Sequence, residues 1–590
     1  MIDPRLTRIF VLPILAVLVL AAFSVQDRPR GLRTFQAPDA FNGSETYTEL
    51  NRLAAAYPSR PTGGPADADA AREIAGRFAD AGLAADTWTA QVRTERGERL
   101  GATQVSGTSD GPGAGDIVIV AARDSVHAGS RAELTGTAAL LQLANVLGKR
   151  RLEHPVTLIS VSGTPGQAAY RALADRLSSQ SPAPRAVIVL GTLGTRDYLA
   201  PVTGLSDGPQ FASQRLRRTL EEALASQRSV GSSRPSASGQ LVRLAAPLTT
   251  GGQGPLLRAE LPAILLSTTG DRVAPASAVP TEERLQADGR ALLRAIIAID
   301  NAGPIDLGPE GRIRAGDGVI PGWALRAIVL ALLVPPALLV VDGLARARRN
   351  RQRVGRWVLW TLLLALPQLL GIGAVAAAAK AGWIAVPGGP VDPELWTGDV
   401  TPLAIFAIVA ALGHFAVRPL VLLALGFSGM RSSVPAAPLG FALVLVITAL
   451  VTWVFNPAAA AMMAPAALLW PWALDSGMRP PRGWALAIVL IGMAPLLLLM
   501  DNLLTRYPLG DPTSALSWFA VLLGASDLGL FPQLWFAAVS GCCIAALLLA
   551  RHGRGGDVAE GEVTVRGPVS YAGPGSLGAV ESARSGAGSR

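Results

Sequence analysis

The side chains in this chain that could do metal or acid–base chemistry are few and unevenly spread. Only four His occur in 590 residues. In the polar first half, His127 lies three positions after Asp124 and six before Glu133. One imidazole and two carboxylates within ten residues carry the donor types of a single metal site, or else trim a surface loop. Gln253 sits in a Gly251-Gly252-Gln253-Gly254 loop, which lacks the Lys and the spacing of a phosphate loop. Ser125 and Ser162 each follow a β-type run, but neither stands in a Gly-x-Ser-x-Gly elbow, so a serine hydrolase is not the reading. In the second half, His414 and Arg418 are four apart and share one face of a regular helix. Ionisable groups in an apolar run are costly and often functional; the alternative is that Arg418 snorkels. Asp342 and Asp501 fall at the ends of such runs and read as facing water.

Two unlike parts must position these residues. Half of the residues are hydrophobic and 16% are charged, but residues 26–317 have an ordinary mixed composition, while 320–550 is dominated by long runs of Leu, Ala, Val, Ile and Trp. Within 40–305, β-type runs at 116–121, 155–161, 186–190 and 262–267 alternate with helical patterns at 48–57, 67–81, 133–147, 166–177, 213–225 and 282–299. That alternation predicts an α/β domain with a mixed, largely parallel sheet flanked by helices. Sites in such sheets open at the carboxyl ends of the strands. Asp124 and His127 fall at such an end; His154 precedes its strand and reads as structural. The Ser/Arg-rich stretch 226–238 reads as a mobile loop.

The second part is an all-α polytopic membrane domain over 320–550. Seven spans are expected near 323–343, 357–379, 402–425, 438–455, 458–474, 484–500 and 532–550. An apolar run in 1–26 after Arg5 and Arg8 adds an N-terminal transmembrane anchor or signal, for eight in all. The Arg cluster from Arg346 to Arg356 sets orientation, with Arg431, Arg479, Arg482, Arg551 and Arg554 on the same side. The expectation is a multi-pass cell-membrane protein with 26–318 extracytoplasmic and a disordered cytoplasmic tail at 551–590. Trp383, Trp396 and Trp518 suit the outer interface, and Asn456-Pro457 a tight hairpin. The net charge of +9 lies largely in short loops beside spans, so the expected partner is the lipid bilayer and not nucleic acid. Nearly all of it is Arg, with two Lys, which suggests a bacterial source. Cys542 and Cys543 are adjacent in one apolar run and cannot staple the domain.

Five segments in order make residues 41–300 resemble the family twenty-eight metallopeptidases, the di-zinc aminopeptidase family. They are Tyr57-Pro58-Ser59-Arg60-Pro61-Thr62-Gly63-Gly64-Pro65, Ala121-Ala122-Arg123-Asp124-Ser125, Ala132-Glu133-Leu134-Thr135-Gly136, Val161-Ser162-Gly163-Thr164-Pro165-Gly166, and Gly251-Gly252-Gln253-Gly254-Pro255 with Leu261-Pro262-Ala263. The resemblance implies two zinc ions held by His and carboxylates, with a Glu as general base. At those positions this chain has Ala122, Ala132, Thr164, Pro165 and Gln253. Only Asp124, an orienting carboxylate in the family, is kept. The layout of anchor, peptidase-like domain and bundle also resembles membrane-bound members of the family and the pseudo-peptidase subunit of the eukaryotic GPI transamidase.

The resemblance therefore implies a catalytically degenerate homologue with no catalytic or metal residues and no cofactor. It would bind a peptide, a lipid-linked substrate or a membrane-protein partner. Asp124, His127, Glu133 and Gln253 are the candidate cleft residues; His414 and Arg418 are the membrane polar candidates. The alternatives are an active zinc-dependent aminopeptidase with atypical ligands, and a transporter or lipid-handling bundle with an accessory domain.

Overall fold

Four apolar runs without a single charge make the centre of a seven-stranded sheet. Along the chain the strands are β1 (Gln26–Asp27), β2 (Ala84–Arg93), β3 (Arg99–Thr108), β4 (Ile117–Ala122), β5 (Val156–Val161), β6 (Ala186–Leu190), β7 (Val202–Thr203), β8 (Ala263–Leu266), β9 (Arg312–Ala315) and β10 (Gly318–Pro321). The computed structural model describes residues 4–552 except 35–38, 94–97, 165–166, 230–236, 304–305, 309–311, 316–317, 386–389, 391, 393–394, 397, 428–435, 475–480, 508–510 and 526–528. The large sheet has the order β2-β3-β5-β4-β6-β8-β7. The parallel strands β5, β4, β6 and β8 are the four runs expected from sequence, almost wholly buried because helices cover both faces.

Largely parallel needs correcting. Three of the six pairings are parallel and three antiparallel. The ten-residue hairpin β2–β3 went unread because β2 (AADTWTAQVR) is mostly exposed and carries no apolar run. Helices Thr135–Leu147 and Glu282–Asp300 pack on each other and on β4; Gly43–Ala56 packs on both of them, and Gln214–Ala225 packs on Glu282–Asp300 and on β7 and β8, while Pro65–Asp80 lies on β2 and β3 and Ala168–Ser178 on β2. Asn42 starts the first helix by accepting from the Ser44 and Glu45 amides at 3.0 and 3.3 Å, a side-chain N-cap.

A small antiparallel sheet, β1-β10-β9, ties the two ends of this domain together, with Gln26 opposite Val319 and Asp27 opposite Gly318. The chain therefore enters and leaves the domain at one neck. The helix Pro4–Phe23 runs into that neck and packs along Gly322–Arg349, which leaves it.

Among the described residues, six helices are long and apolar enough to cross a membrane: Gly322–Arg349, Val354–Lys380, Thr401–Ala424, Ala436–Phe455, Gly483–Arg506 and Leu530–Arg551. They mark the chain as a membrane protein. The other two places where spans were expected hold Pro4–Phe23 and the 18-residue Pro457–Leu474. Among the described residues these contribute only shorter apolar stretches, Leu12–Phe23 and Pro457–Pro471. A further helix, Pro512–Gly524, was not anticipated. Arg431, Arg479, Arg554 and most of the expected tail lie outside the described residues, and helix Leu530–His552 takes in Arg551.

Asn456 joins two helices as the hairpin reading requires. Its side chain accepts from the Ala458 and Ala459 amides at 3.1 Å each and donates to the Leu244 and Ala245 carbonyls. Those carbonyls end helix Ala237–Ala245, which packs on Pro457–Leu474. This helix begins where a mobile loop was expected to end. Its apolar side, with Leu244, Ala245 and nearby Val242 and Leu248, is buried against Ala458, Ala459, Leu499 and Leu503. Domain and bundle thus share a packed joint.

Candidate functional site

The strand order reverses at β4: β5 lies on one side of it and β6 on the other. Loops leaving β4, β5, β6 and β8 diverge there and leave a cleft at their carboxyl ends, as open α/β sheets do. A cavity of about 130 Å³ occupies it, lined among others by Ala122, Asp124, Glu133, Thr164, Tyr170, Thr192, Thr250, Ser267, Asp271 and Arg272. Pro390, Asp392 and Leu395, from the segment between two candidate spans, also line it. Asp392 is buried and accepts from the Val273 amide at 2.8 Å. The bundle therefore supplies part of the wall.

Asp124 sits at the floor with both oxygens engaged. One accepts from the Thr62 hydroxyl (2.8 Å) and the Gly163 and Thr164 amides (2.9 Å each); the other accepts from the Thr164 hydroxyl (2.9 Å). It braces two loops. Glu133 is similarly occupied. Its carboxylate accepts from the Val126 amide (2.6 Å) and the His127 amide (3.2 Å), and meets His127 Nδ1 at 2.7 Å. Burial pushes the Glu133 carboxyl up, with those bonds to Val126 and His127 opposing. Asp124 and the His127–Glu133 pair share no hydrogen-bond partner among the described residues, so these three of the four expected cleft residues form two separate local braces. Among the described residues, no three His, Cys, Asp or Glu gather as a metal-ligand group.

Gln253 lies behind the cleft wall, fully buried on helix Gln253–Arg258. Its amide donates to the Leu205 carbonyl (3.1 Å) and the Thr249 hydroxyl (3.0 Å). The serines are also taken: the Ser162 hydroxyl donates to Asp67 (2.7 Å), and Ser125 Oγ accepts from the Arg60 amide (3.2 Å). His154 pairs with Asp300 at the opposite end of the sheet (3.2 Å), in line with its structural reading. Pro165 lies outside the described residues.

In the bundle, His414 lies in a π-helical turn, Gly413–Val417, and its ring meets Phe415 edge-on. That turn lies between His414 and Arg418 and removes the regular spacing that would stack them. Arg418 instead places its guanidinium over Trp360, 5.5 Å from the ring centroid.

Sequence reading missed a further carboxylate at the cleft, Asp271, the one that ties it to the bundle. It forms an ion pair with Arg506, at the end of a candidate span, and accepts from the hydroxyls of Tyr507 (3.1 Å) and Thr249 (2.7 Å). Burial pushes Asp271 up, but Arg506 and these hydroxyls more than offset it and hold its carboxyl below the usual range. The available signal was its place, five residues past the end of β8 in Ser267-Thr268-Thr269-Gly270-Asp271.

Thr249 connects Asp271 to a second buried carboxylate. Its amide donates to Asp207 at 3.2 Å. Burial pushes Asp207 up to about 6, against the opposing effects of Arg258 and that amide. Below pH ~4 this group is protonated in folded and unfolded chains alike. Between ~4 and ~6 the unfolded chain loses its proton first, so stability falls as pH rises, and the loss is complete above ~6. Replacing Asp207 by Asn should remove this contribution. Melting curves of the two proteins should diverge across that window, by about 3 kcal/mol at most from 1.36 kcal/mol per unit; parallel curves would show that the carboxyl is not shifted.

No family model and no curated protein matches the chain. Among solved structures, it is similar to a zinc aminopeptidase from Bacillus subtilis, at 11% identity and a TM-score of 0.33 over 43% of this chain and 94% of that one. It is also similar to a glutaminyl cyclase from an Acidobacteriales bacterium, at 17% identity and 0.35 over 47% and 100%. A leucine aminopeptidase precursor from Bacteroides thetaiotaomicron gives 15%, 0.33, 45% and 98%. These likenesses are loose and cover less than half of the chain.

Proposed function

We propose that this is a membrane-embedded, peptidase-like protein whose domain recognises a ligand at the extracytoplasmic face without cleaving it. One observation carries the reading: the acidic groups at the cleft are all consumed by internal bonds. Asp124 braces loops, Glu133 holds the His127 turn, and Asp271 is paired with Arg506. A hydrolytic site needs a carboxylate or imidazole free to take a proton from water.

A zinc pair does not suit the residues present. Each ion needs several His, carboxylate or thiolate donors. The alanine side chains at 122 and 132 have none. The Thr164 hydroxyl is directed at Asp124, and the Gln253 amide at Leu205 and Thr249. No step is therefore routed through a metal. What remains is a small cleft walled by hydroxyls, Tyr170, Arg272 and backbone, with part of its lining supplied by the bundle. Such a wall suits one small polar group, such as the end of a peptide or the head of a lipid-linked substrate.

The extracytoplasmic placement rests on the Arg-rich end of Gly322–Arg349, which lies at the far end of that helix from the neck. Aminopeptidase and glutaminyl cyclase substrates are the assays of choice. The full-length protein in detergent, supplied with zinc, should show no turnover of aminoacyl amides or N-terminal Gln peptides above a buffer blank. Turnover abolished by a chelator and restored by zinc would overturn the reading.

A further inference from the structure

A large apolar space lies beneath the domain, among the span ends that meet it. Its volume is about 440 Å³, inside the usual range of roughly 300–1,000 Å³ for ligand pockets. Six helices supply its walls, represented by Phe406, Phe455, Ala459, Leu499, Phe519 and Trp535, and the roof is the domain's 207–209 and 245–248. It is separated from the cleft by Thr249, which bonds Asp207 on the cavity side and Asp271 on the cleft side.

The chemistry of the walls selects an occupant. Apart from Asp207, Asn456 and the Trp535 indole, the lining side chains are hydrocarbon, thioether or Phe. Asn456 has its amide fully engaged with backbone. Water needs two to four polar partners to stay in such a space, and apolar cavities of about 150 Å³ stay dry and take up hydrocarbon guests. A void nearly three times larger, left empty, forfeits dispersion contacts along every wall. Its neighbourhood is equally specific. The wall residue Phe406 belongs to Thr401–Ala424, a span with almost no face buried within the protein. One wall of the cavity is thus a helix that otherwise meets the bilayer. At the domain end, the Trp535 Nε1 is buried and has no hydrogen-bond partner among the described residues. A chain whose polar end carries an acceptor would satisfy it.

We propose that this cavity holds a single acyl or prenyl chain of a membrane lipid, with the lipid's polar end directed towards the Asp207–Trp535 end beneath the domain. The site stands apart from the cleft, so the inference does not depend on what the cleft recognises. The chain packs between spans while its head meets the one carboxyl and one free donor in the wall.

The test is photolabelling of the full-length protein in phosphatidylcholine vesicles, using a phosphatidylcholine with a diazirine in its acyl chain. A farnesyl diazirine serves as the second arm and distinguishes prenyl from acyl chains. Labelled peptides are mapped by mass spectrometry. The expected result is labelling at Met500, Leu503, Phe519 and Trp535 that saturates and is displaced by dodecane. Labelling of the exposed residues Ile408, Leu412 and Leu420 should neither saturate nor be displaced. Ala520→Phe, which fills the cavity from one wall, and Ala246→Phe, which fills it from the roof, should each abolish only the saturable labelling. Non-saturable labelling spread evenly over cavity and exterior in the wild type would overturn the proposal, whether or not either variant folds. Saturable labelling that survives both substitutions would overturn it as well.

Discussion

Replacing Asp67 by Ala should cost about 3–5 kcal/mol of stability, the usual penalty for leaving one partner of a buried ion pair uncompensated. Arg123 and Asp67 are both fully buried and pair at 2.9 Å beneath the cleft. Burial pushes Arg123 down and Asp67 up, and each opposes the other's shift. The guanidinium also donates to the Ser160 and Thr103 carbonyls, tying the end of β4 to β5 and to the middle of β3. In the variant Arg123 keeps those carbonyls but loses its counter-charge. The double variant D67A/R123M should recover part of the loss, because it removes the charge while leaving those carbonyls unpaired at about 1–3 kcal/mol each. Thermal unfolding of the detergent-solubilised protein measures both. A loss under about 1 kcal/mol for D67A would mean that the pair is not held as described.

Arg506→Ala should loosen the domain from the bundle. The Arg506–Asp271 pair is buried on both sides and crosses the joint. Without Arg506, Asp271 keeps only the hydroxyls of Thr249 and Tyr507. The expected cost is again about 3–5 kcal/mol, but its effect should be local. Hydrogen exchange should quicken in 237–248 and 267–274 while the central strands stay protected. Arg506→Lys should restore part of the protection. A double-mutant cycle with Asp271→Asn should give a coupling of about 1–3 kcal/mol. Additive effects in that cycle would separate the two residues, and unchanged exchange in R506A would remove the pair as the joint.

The parts that sequence could convey were those with a local signal. The four central strands are short, apolar and uncharged, so β4, β5, β6 and β8 were legible almost to the residue. The long apolar helices were legible for the same reason. The hairpin β2–β3 was not, since an edge strand with one face in water carries polar and apolar residues alike. The neck sheet was also hidden, because Gln26–Asp27 and Gly318–Pro321 are nearly 300 positions apart and pair only through the fold. Asp124 was readable as the one retained position of a peptidase pattern, but the bonds that engage it come from Thr62 and Thr164. Gln253 was assigned to the cleft because it stands where the resemblance places a late His; its amide is instead buried against Leu205 and Thr249. Asp271 was missed because its importance comes from Arg506, 235 positions away.

The cleft is proposed to brace and recognise without catalysing. The most direct test of this reading is the zinc content of the full-length protein, purified without chelator from zinc-supplemented cells and measured by inductively coupled plasma mass spectrometry. Internal hydrogen bonding of Asp124 and Glu133, with Ala122 and Ala132 at the ligand positions, predicts no stoichiometric zinc. Two zinc ions per chain, lost in parallel with peptidase turnover on chelation, would contradict it.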